Sequence, residues 1–148
     1  MKTVKQILES KGRAVYSISS EATVFEALSL MSEKGIGALP VLENSELCGI
    51  LSERDYARKV ILKDKSSHQA LVKEIMSTQV ICVDEARTAE ECMSIMIKKR
   101  VRHLPVLKEE KMIGFLSIGD IVKAVIDEKE VVIDQLITYI KDIPHISK

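Results

Sequence analysis

The chain contains no tryptophan, and aromatic residues make up only 3% of its 148 residues. Proteins that bind single-stranded nucleic acid stack its bases on aromatic side chains, so this scarcity argues against such a platform. Basic and acidic residues balance at 22 each, which gives a formal net charge of zero. Without a basic excess, we expect neither a nucleic-acid partner nor an anionic membrane surface as a partner.

Signals for export, for a membrane span and for a cysteine framework are also missing. The N-terminus carries no apolar run of a signal peptide, and no segment approaches the ~18 apolar residues that a membrane span needs. The three cysteines, Cys48, Cys82 and Cys92, lack the spacing of metal ligands. We expect small buried thiols in a protein of the reducing cytoplasm, with no membrane partner.

Sequence patterns of catalysis are absent as well. The chain has no glycine-rich phosphate loop followed by Lys-Ser/Thr, no His-Glu-x-x-His pair and no Gly-x-Ser-x-Gly turn. Its histidines, His68, His103 and His145, are far apart in sequence and lack metal-site spacing. We therefore predict a protein that is not an enzyme and has no catalytic cofactor and no metal.

The chain contains one sequence pattern twice. Leu39-Pro40-Val41-Leu42 returns as Leu104-Pro105-Val106-Leu107, and the match continues on both sides without a gap. In the same register Gly49 falls on Gly114, Ser52 on Ser117 and Asp55 on Asp120. Chance does not readily keep one register over about 40 residues, so the sequence indicates an internal duplication.

Each copy predicts the element order strand, helix, strand, strand, helix after a short leading helix, which is a mixed α/β (α+β) fold. In the first copy we predict a helix at Val4–Glu9, a strand at Ala14–Ile18, a helix from a Thr23–Glu26 capping box to Gly35, strands at Ala38–Leu42 and Leu47–Leu51, and a helix from Ser52 to about Leu62. The second copy repeats this with a helix at Val72–Met76, a strand at Gln79–Val83, a helix from the Thr88–Glu91 capping box, a hairpin of His103–Leu107 and Met112–Leu116, and a helix from Ser117 to about Ile126.

The pattern divides the chain into a first repeat (1–66), a second repeat (67–127) and a C-terminal helical extension (128–148). Residues 63–71 are typical of a polar linker. The extension is predicted to be a helix that ends at Pro144. One face of this helix contains Val131, Val132, Gln135, Leu136, Tyr139 and Ile140. That face either packs on its own domain or supports a dimer contact, and the sequence leaves both open.

The tandem unit resembles the cystathionine-beta-synthase (CBS) domain, two of which form a Bateman module. The resemblance covers residues 1–127 and depends on the duplicated set of motifs in order: Leu-Pro-Val-Leu, a glycine after the hairpin turn, and hydrophobic-Ser-x-x-Asp. It implies two repeats packed with pseudo-twofold symmetry, often as a homodimer of pairs. It also implies clefts between the repeats that bind adenosine-containing ligands such as AMP, ADP, ATP, NAD or S-adenosylmethionine.

Two serine–aspartate pairs, Ser52 with Asp55 and Ser117 with Asp120, lie where a predicted strand meets a predicted helix. A helix N-terminus offers free N–H groups that suit a phosphate, and a serine hydroxyl adds a donor. An aspartate one turn on can accept hydrogen bonds from both hydroxyls of a ribose, and the resemblance implies the same roles. The alternative is a plain helix cap with an acidic residue in the first turn.

Further predicted ligand contacts are asymmetric between the copies. The resemblance implies that Arg102 and His103 reach phosphates, and His103 titrates near neutral pH, whereas the first copy has Gly37 and Ala38 there. The base is expected beside Val15, Tyr16, Ser17, Val80, Ile81 and Cys82, for which core packing is the alternative. Arg58 and Lys123 can reach a phosphate but are also typical surface charges. Pro40 and Pro105 complete the predicted set.

Together these features favour a ligand sensor that binds AMP, ATP or NAD between its repeats. It would signal to an unknown effector protein through a ligand-dependent conformational change. The alternative is a structural, dimerisation and protein-interaction module whose clefts hold no ligand.

Overall fold

The computed structural model describes residues 1–63 and 66–142 and contains two copies of one mixed helix–strand unit. The first copy comprises α1 (Val4–Lys11), β1 (Ile18–Ser19), α2 (Val24–Lys34), β2 (Ala38–Glu43), β3 (Glu46–Ser52) and α3 (Glu53–Tyr56), followed by a π-helical turn at Ala57–Ile61. The second copy comprises α4 (Val72–Ile75), α5 (Ala89–Lys99), β4 (His103–Lys108), β5 (Lys111–Ser117) and α6 (Ile118–Asp142). The predicted fold of two repeats is confirmed.

One antiparallel hairpin forms the centre of each copy. β2 pairs with β3 and β4 with β5 in matching registers, within one residue of the predicted bounds. Both turns place two residues at positive φ: Asn44 and Ser45 at 52° and 66°, and Glu109 and Glu110 at 52° and 67°. Such a turn has the backbone twist that suits a two-residue hairpin.

The strand before each long helix is much shorter than predicted. Only Ile18–Ser19 pairs, parallel to β2, and in the second copy Val83 forms a single parallel bridge to Val106. The strand predictions over Ala14–Ser17 and Gln79–Cys82 are therefore wrong, although those segments are rich in strand-forming residues.

Prolines in the neighbouring strands explain why these ladders stop. The Val83 N–H donates to the Pro105 carbonyl (3.0 Å), and the Leu107 N–H donates to the Val83 carbonyl (2.9 Å). The next rung would need an N–H from Pro105, and in the first copy from Pro40, but proline has none. Consequently no hydrogen bond within the described residues involves the backbone of Ala14 to Ser17.

The two copies exchange their short helices. α1 places Val4, Ile7 and Leu8 in the core of the second copy, while α4 places Val72 and Ile75 in the core of the first. The exchange is reciprocal, as pseudo-twofold symmetry requires. The Val4 N–H donates to the carbonyl of Arg87 (2.7 Å) and the Val72 N–H donates to that of Ala22 (2.8 Å). The division of the chain at 66/67 stays a prediction, since each core draws on both sides of it.

Both predicted threonine caps are present at the long helices. Thr88 forms the complete box with Glu91, because each side chain accepts a hydrogen bond from the other's backbone N–H. Thr23 accepts from the Glu26 N–H (3.1 Å), but Glu26 bonds the Thr23 hydroxyl (3.3 Å) instead of returning to the backbone.

α6 does not end near Ile126 but continues as one helix of 25 residues to Asp142. No glycine or proline lies between Ile126 and Asp142, so nothing local stops the helix at the predicted end. Its first half buries Ile121 and Ala124. Its second half leaves apolar side chains exposed: Val131, Val132, Ile133, Leu136, Ile137, Tyr139 and Ile140. These do not pack on the described part of the chain. The predicted helix end at Pro144, and residues 64–65 of the linker, lie outside the described residues.

The cysteines differ in burial, contrary to the expectation of three buried thiols. Cys92 is buried, and burial raises its pKa to about 11, so it is an inert core residue. Cys48 and Cys82 are partly exposed. None of the helices in residues 1–63 and 66–142 combines the length and apolar character that a membrane crossing requires.

Candidate ligand-binding site

A cavity of about 290 Å³ opens between the two copies, where the segment before β1 faces the β4–β5 hairpin. Its lining residues come from both copies: Lys11, Ala14, Val15, Tyr16, Gly35, Ile36, Gly37, Ala38, His103, Phe115 and Ser117. Of the predicted ligand residues, the structure thus brings together Val15, Tyr16, His103 and Ser117. We call this space the Asp120 cavity, because two of its lining residues, Lys11 and Ser117, hydrogen-bond Asp120.

Asp120 is tied to the start of α6 by a capping box. The Ser117 N–H donates to Asp120 Oδ2 (2.8 Å), and the Asp120 N–H donates to Ser117 Oγ (3.2 Å). The Ile118 N–H donates to the Arg102 carbonyl (2.8 Å). The predicted phosphate cradle is therefore smaller than expected. Of the N–H groups at Ile118, Gly119 and Asp120, only that of Gly119 has no partner within the described residues.

Lys11, at the end of α1, donates to the same carboxylate oxygen as the Ser117 N–H. Its ammonium lies 2.6 Å from Asp120 Oδ2 and 2.6 Å from the Phe115 carbonyl oxygen. Burial alone would raise the pKa of Asp120. The hydrogen bonds from Lys11 and from Ser117 outweigh burial and hold that pKa below its ordinary value. Asp120 is thus an ionised acceptor at neutral pH.

His103 forms one wall of the cavity, with its ring stacked on Phe115 at a centroid distance of 5.4 Å. Burial lowers the pKa of His103, and the positive charges of Lys11 and Arg102 lower it further, against the opposing effect of Asp120. The expectation that His103 titrates near neutral pH is therefore corrected downward. At pH 7 the ring is neutral and offers one donor and one acceptor.

The matching pair in the first copy, Ser52 and Asp55, has the same capping box. The Ser52 N–H donates to Asp55 Oδ2 (2.9 Å), and the Asp55 N–H donates to Ser52 Oγ (3.2 Å). Here the lysine comes from the same helical segment, because Lys59 lies 3.3 Å from Asp55 Oδ1. The Lys59 ammonium also donates to the Ile75 carbonyl (2.9 Å).

The outer edges of the two hairpins differ. In β3, Ile50 exchanges two backbone hydrogen bonds with Ser77, at 3.0 and 2.9 Å, so this edge is covered. The corresponding residue of β5 is Phe115, which has no such backbone partner in the described chain. Its carbonyl instead accepts the hydrogen bond from Lys11. The edge beside Asp120 therefore stays open to the cavity, while the edge beside Asp55 is closed by the chain itself.

The remaining predicted residues lie elsewhere. Ser17, Val80, Ile81 and Cys82 are half-buried and do not line the Asp120 cavity, and Ile81 packs against the core of the second copy. Pro40 and Pro105 are buried within β2 and β4. The side chains of Arg58 and Arg102 are exposed. Lys123 is exposed and lines a second, smaller cavity of about 160 Å³.

Sequence reasoning missed Lys11 and Phe115. Lys11 lies 109 positions from Asp120, and no local pattern distinguishes it from the other lysines. Phe115 is one of the chain's two phenylalanines and stands just before the Leu-Ser pair of the motif, but its strand position alone did not indicate a ligand site.

The family model of the CBS domain matches this chain twice, at residues 4–62 and 72–127. The chain belongs to the CBS domain family. It is 35% identical to the mitochondrial CBS domain-containing protein CBSX3 of Arabidopsis thaliana, over 94% of this chain and 72% of the relative. A CBS-domain protein of Burkholderia ambifaria MC40-6, named for signal transduction, is 47% identical with a TM-score of 0.82, over 85% of this chain and 95% of that one.

A more distant neighbour shares the fold. The CBS domain pair of a protein named MJ0100, crystallised with 5′-methylthioadenosine and S-adenosyl-L-methionine, has a TM-score of 0.76 at 23% identity. The match covers 86% of this chain and 98% of that pair. These chains consist largely of the CBS pair, so this protein resembles stand-alone CBS pairs.

Proposed function

We propose that this CBS pair is a sensor that binds an adenosine-containing nucleotide in the Asp120 cavity. The observation that carries the proposal is the open edge of β5, where a cavity lined by both copies reaches Lys11 and Ser117, the two residues that hydrogen-bond the ionised carboxylate of Asp120. The equivalent edge in the first copy is occupied by Ser77. One nucleotide per chain, beside Asp120, is therefore the occupancy that we propose.

Each part of a nucleotide has a fitting neighbour in the cavity. The base would lie between Tyr16 and the stacked rings of His103 and Phe115, and its polar edge would bond the unpaired backbone groups of Ala14 to Tyr16. The ribose hydroxyls would donate to Asp120. Gly35 and Gly37 place no side chain in the opening, so a ligand can approach the backbone there.

The size of the cavity limits the ligand. Small-molecule sites usually measure roughly 300–1,000 Å³, so a cavity of about 290 Å³ is at the lower end. A nucleoside or mononucleotide such as AMP fits this space better than a dinucleotide such as NAD. The adenosine compounds crystallised with the distant MJ0100 pair support the ligand class.

Signalling would follow from the way the cavity is built. A bound nucleotide touches the segment before β1 in the first copy and β5 in the second, so it would bind one relative placement of the copies better than another. A separate effector protein would receive the signal. We still expect a cytoplasmic location. Coupling of about 1–3 kcal/mol is typical for such sites.

Calorimetry with AMP, ATP, NAD and S-adenosylmethionine tests the proposal. We expect saturable binding. A ligand at 100 times its Kd should raise the free energy of unfolding by about 2.7 kcal/mol. Asp120→Asn should weaken binding at least about tenfold, because a charged acceptor is lost. Asp55→Asn is the matched control and should leave affinity unchanged. Absence of binding by the unaltered protein, or equal loss in both variants, would contradict the assignment.

The exposed face of α6 supports a second candidate function, a contact with a second copy of this chain. Ile126, Ile133, Ile137 and Ile140 lie on one stripe of the helix and are 44–63% exposed. The exposed Ile118 and Val122 extend this stripe towards the start of α6, and the charged Lys129 and Glu130 interrupt it between Ile126 and Ile133. Clustered exposed apolar surface of this kind is typical of protein contacts. Light scattering should show a dimer that Ile133→Glu with Ile137→Glu dissociates, and a monomer at all concentrations would remove this candidate.

A further inference from the structure

The connection after the short helix is longer in the first copy than in the second. Leu8 and Met76 occupy equivalent places, since each packs against the glycine in the hairpin of the other copy. Six residues lie between Leu8 and Val15, but only three lie between Met76 and Val80, which aligns with Val15. The first copy therefore has three additional residues between its short helix and the residues that line the Asp120 cavity.

This difference in length explains why only one hairpin edge is covered. Ser77 follows directly after α4 and the residue that ends it, and it exchanges two backbone hydrogen bonds with Ile50. In the first copy α1 continues to Lys11 and ends at Gly12, whose φ of 100° turns the chain sharply. The longer connection forms no backbone hydrogen bond with β5 in the described chain, so that edge stays open.

The cavity wall formed by residues 14–16 needs an anchor of another kind, because no backbone hydrogen bond within the described residues holds it. Arg13, the residue before the wall, forms an ion pair with Glu85 of the second copy, in which Arg13 Nη2 lies 2.7 Å from Glu85 Oε2. The Glu85 side chain is 18% exposed and that of Arg13 is 41% exposed. The pair joins the wall of the Asp120 cavity to the second copy.

Glu85 is a firm support, because a tight turn holds it against α1. The Ala86 N–H donates to Asp84 Oδ1 (2.8 Å), and the Lys5 N–H donates to the Glu85 carbonyl (3.1 Å). The turn thus contacts the start of α1 with its backbone, while the Glu85 side chain holds the segment that follows the end of α1. In the first copy, buried Ser20 takes the place of Glu85, so this ion pair has no equivalent there.

We propose that the Arg13–Glu85 ion pair is a positioning contact for ligand binding in the Asp120 cavity. The proposal rests on the proposed function and adds two residues that do not line the cavity but act through its wall. A wall that is fixed before the ligand arrives loses less conformational entropy on binding, which strengthens binding. Partly exposed ion pairs are of modest strength, so loss of this pair should weaken binding about two- to fivefold.

Calorimetry on the full chain tests this role, with whichever of AMP, ATP, NAD and S-adenosylmethionine the unaltered protein binds most tightly. Arg13→Gln and Glu85→Gln should each weaken binding about two- to fivefold, and the double variant should lose no more than either single one. Arg13→Lys keeps the cation and should retain most of the affinity. Lys108→Gln is the matched control, because Lys108 lies 3.8 Å from the other oxygen of Glu85 and does not adjoin the wall.

The outcomes separate the inference from the proposed function. Unchanged affinity in Arg13→Gln, or an equal loss in Lys108→Gln, overturns the inference while the sensor function stands. Additive losses in the double variant also overturn it, since the two residues would then act independently. Failure of the unaltered protein to bind any of the four compounds overturns both.

A second measurement examines the wall without any ligand. The NMR order parameters of the backbone at residues 14–16 should fall in Arg13→Gln, because the wall loses its anchor, and should recover in Arg13→Lys. The hairpin turn at Glu109 and Glu110 serves as the internal control and should not change. Unchanged order parameters at residues 14–16 would show that the ion pair does not hold the wall, which overturns the inference whatever the binding data.

Discussion

The substitution Gly114→Ala should destabilise the protein, because it pushes a methyl group into a helix that belongs to the other copy. A Cβ at Gly114 would lie 2.6 Å from Leu8 Cδ2 and 2.8 Å from Leu8 Cδ1, well inside the ~3.5 Å at which carbon atoms repel. Leu8 belongs to α1, and its side chain is fully buried in the core of the second copy. Overpacking of this kind costs about 1–3 kcal/mol.

The opposite substitution, Leu8→Ala, should cost about 2–5 kcal/mol, since it leaves a cavity in the same core. The two changes should compensate when combined, because the new methyl at residue 114 then enters the space that the leucine vacates. We expect the double variant to be more stable than the sum of the single changes implies, by about 1–3 kcal/mol. This coupling is the signature of direct contact between α1 and β5.

Urea denaturation of the four proteins gives the cycle, provided that the m-value is unchanged. Gly119→Ala is the matched control, since a Cβ there meets only Ser117 Oγ, at 3.5 Å. It should be neutral or should stabilise the protein by up to about 1 kcal/mol, because alanine favours a helix more than glycine does. A neutral Gly114→Ala, or additive single effects, would refute the reasoning. Either result would place α1 elsewhere and remove the packing that brings Lys11 to Asp120.

Three further predictions concern charge and capping. AMP should bind more weakly as the pH falls below 7, with release of a proton, because the base that covers the His103 ring buries it further and lowers its already depressed pKa. Calorimetry in buffers of different ionisation enthalpy measures this release, and His103→Asn should abolish it. Asp120 should contribute stability that is present above its ordinary pKa of 3.8 and is lost as the pH falls further, because its pKa is lowered on folding. Acid unfolding of Asp120→Asn should lack this component. Thr88→Ala should cost about 1 kcal/mol in urea unfolding, since it removes a capping box.

The candidate site was only partly predictable for reasons of geometry. Ser117 and Asp120 could be named in advance because a serine and an aspartate three residues on form a cap by local geometry alone. The predicted free N–H groups were overcounted, since the Ile118 N–H is taken by the Arg102 carbonyl. Val80, Ile81 and Cys82 stay predictions as ligand residues. Nothing local in the sequence indicates that Ser77 covers the edge of β3 while the edge of β5 stays open.

What the sequence by itself determined are the features that close within a few residues: the duplicated element order, the hairpins with their turns, and the threonine caps. Their hydrogen bonds and apolar periods are local, so the residues at hand suffice to specify them. The tertiary structure alone decided where α1 and α4 pack, how short β1 becomes beside Pro40, and which lysine meets Asp120. Those outcomes depend on which distant segments come together when both cores are buried at once. Lys11 and Asp120 are 109 positions apart, and no local pattern in the sequence predicts their contact.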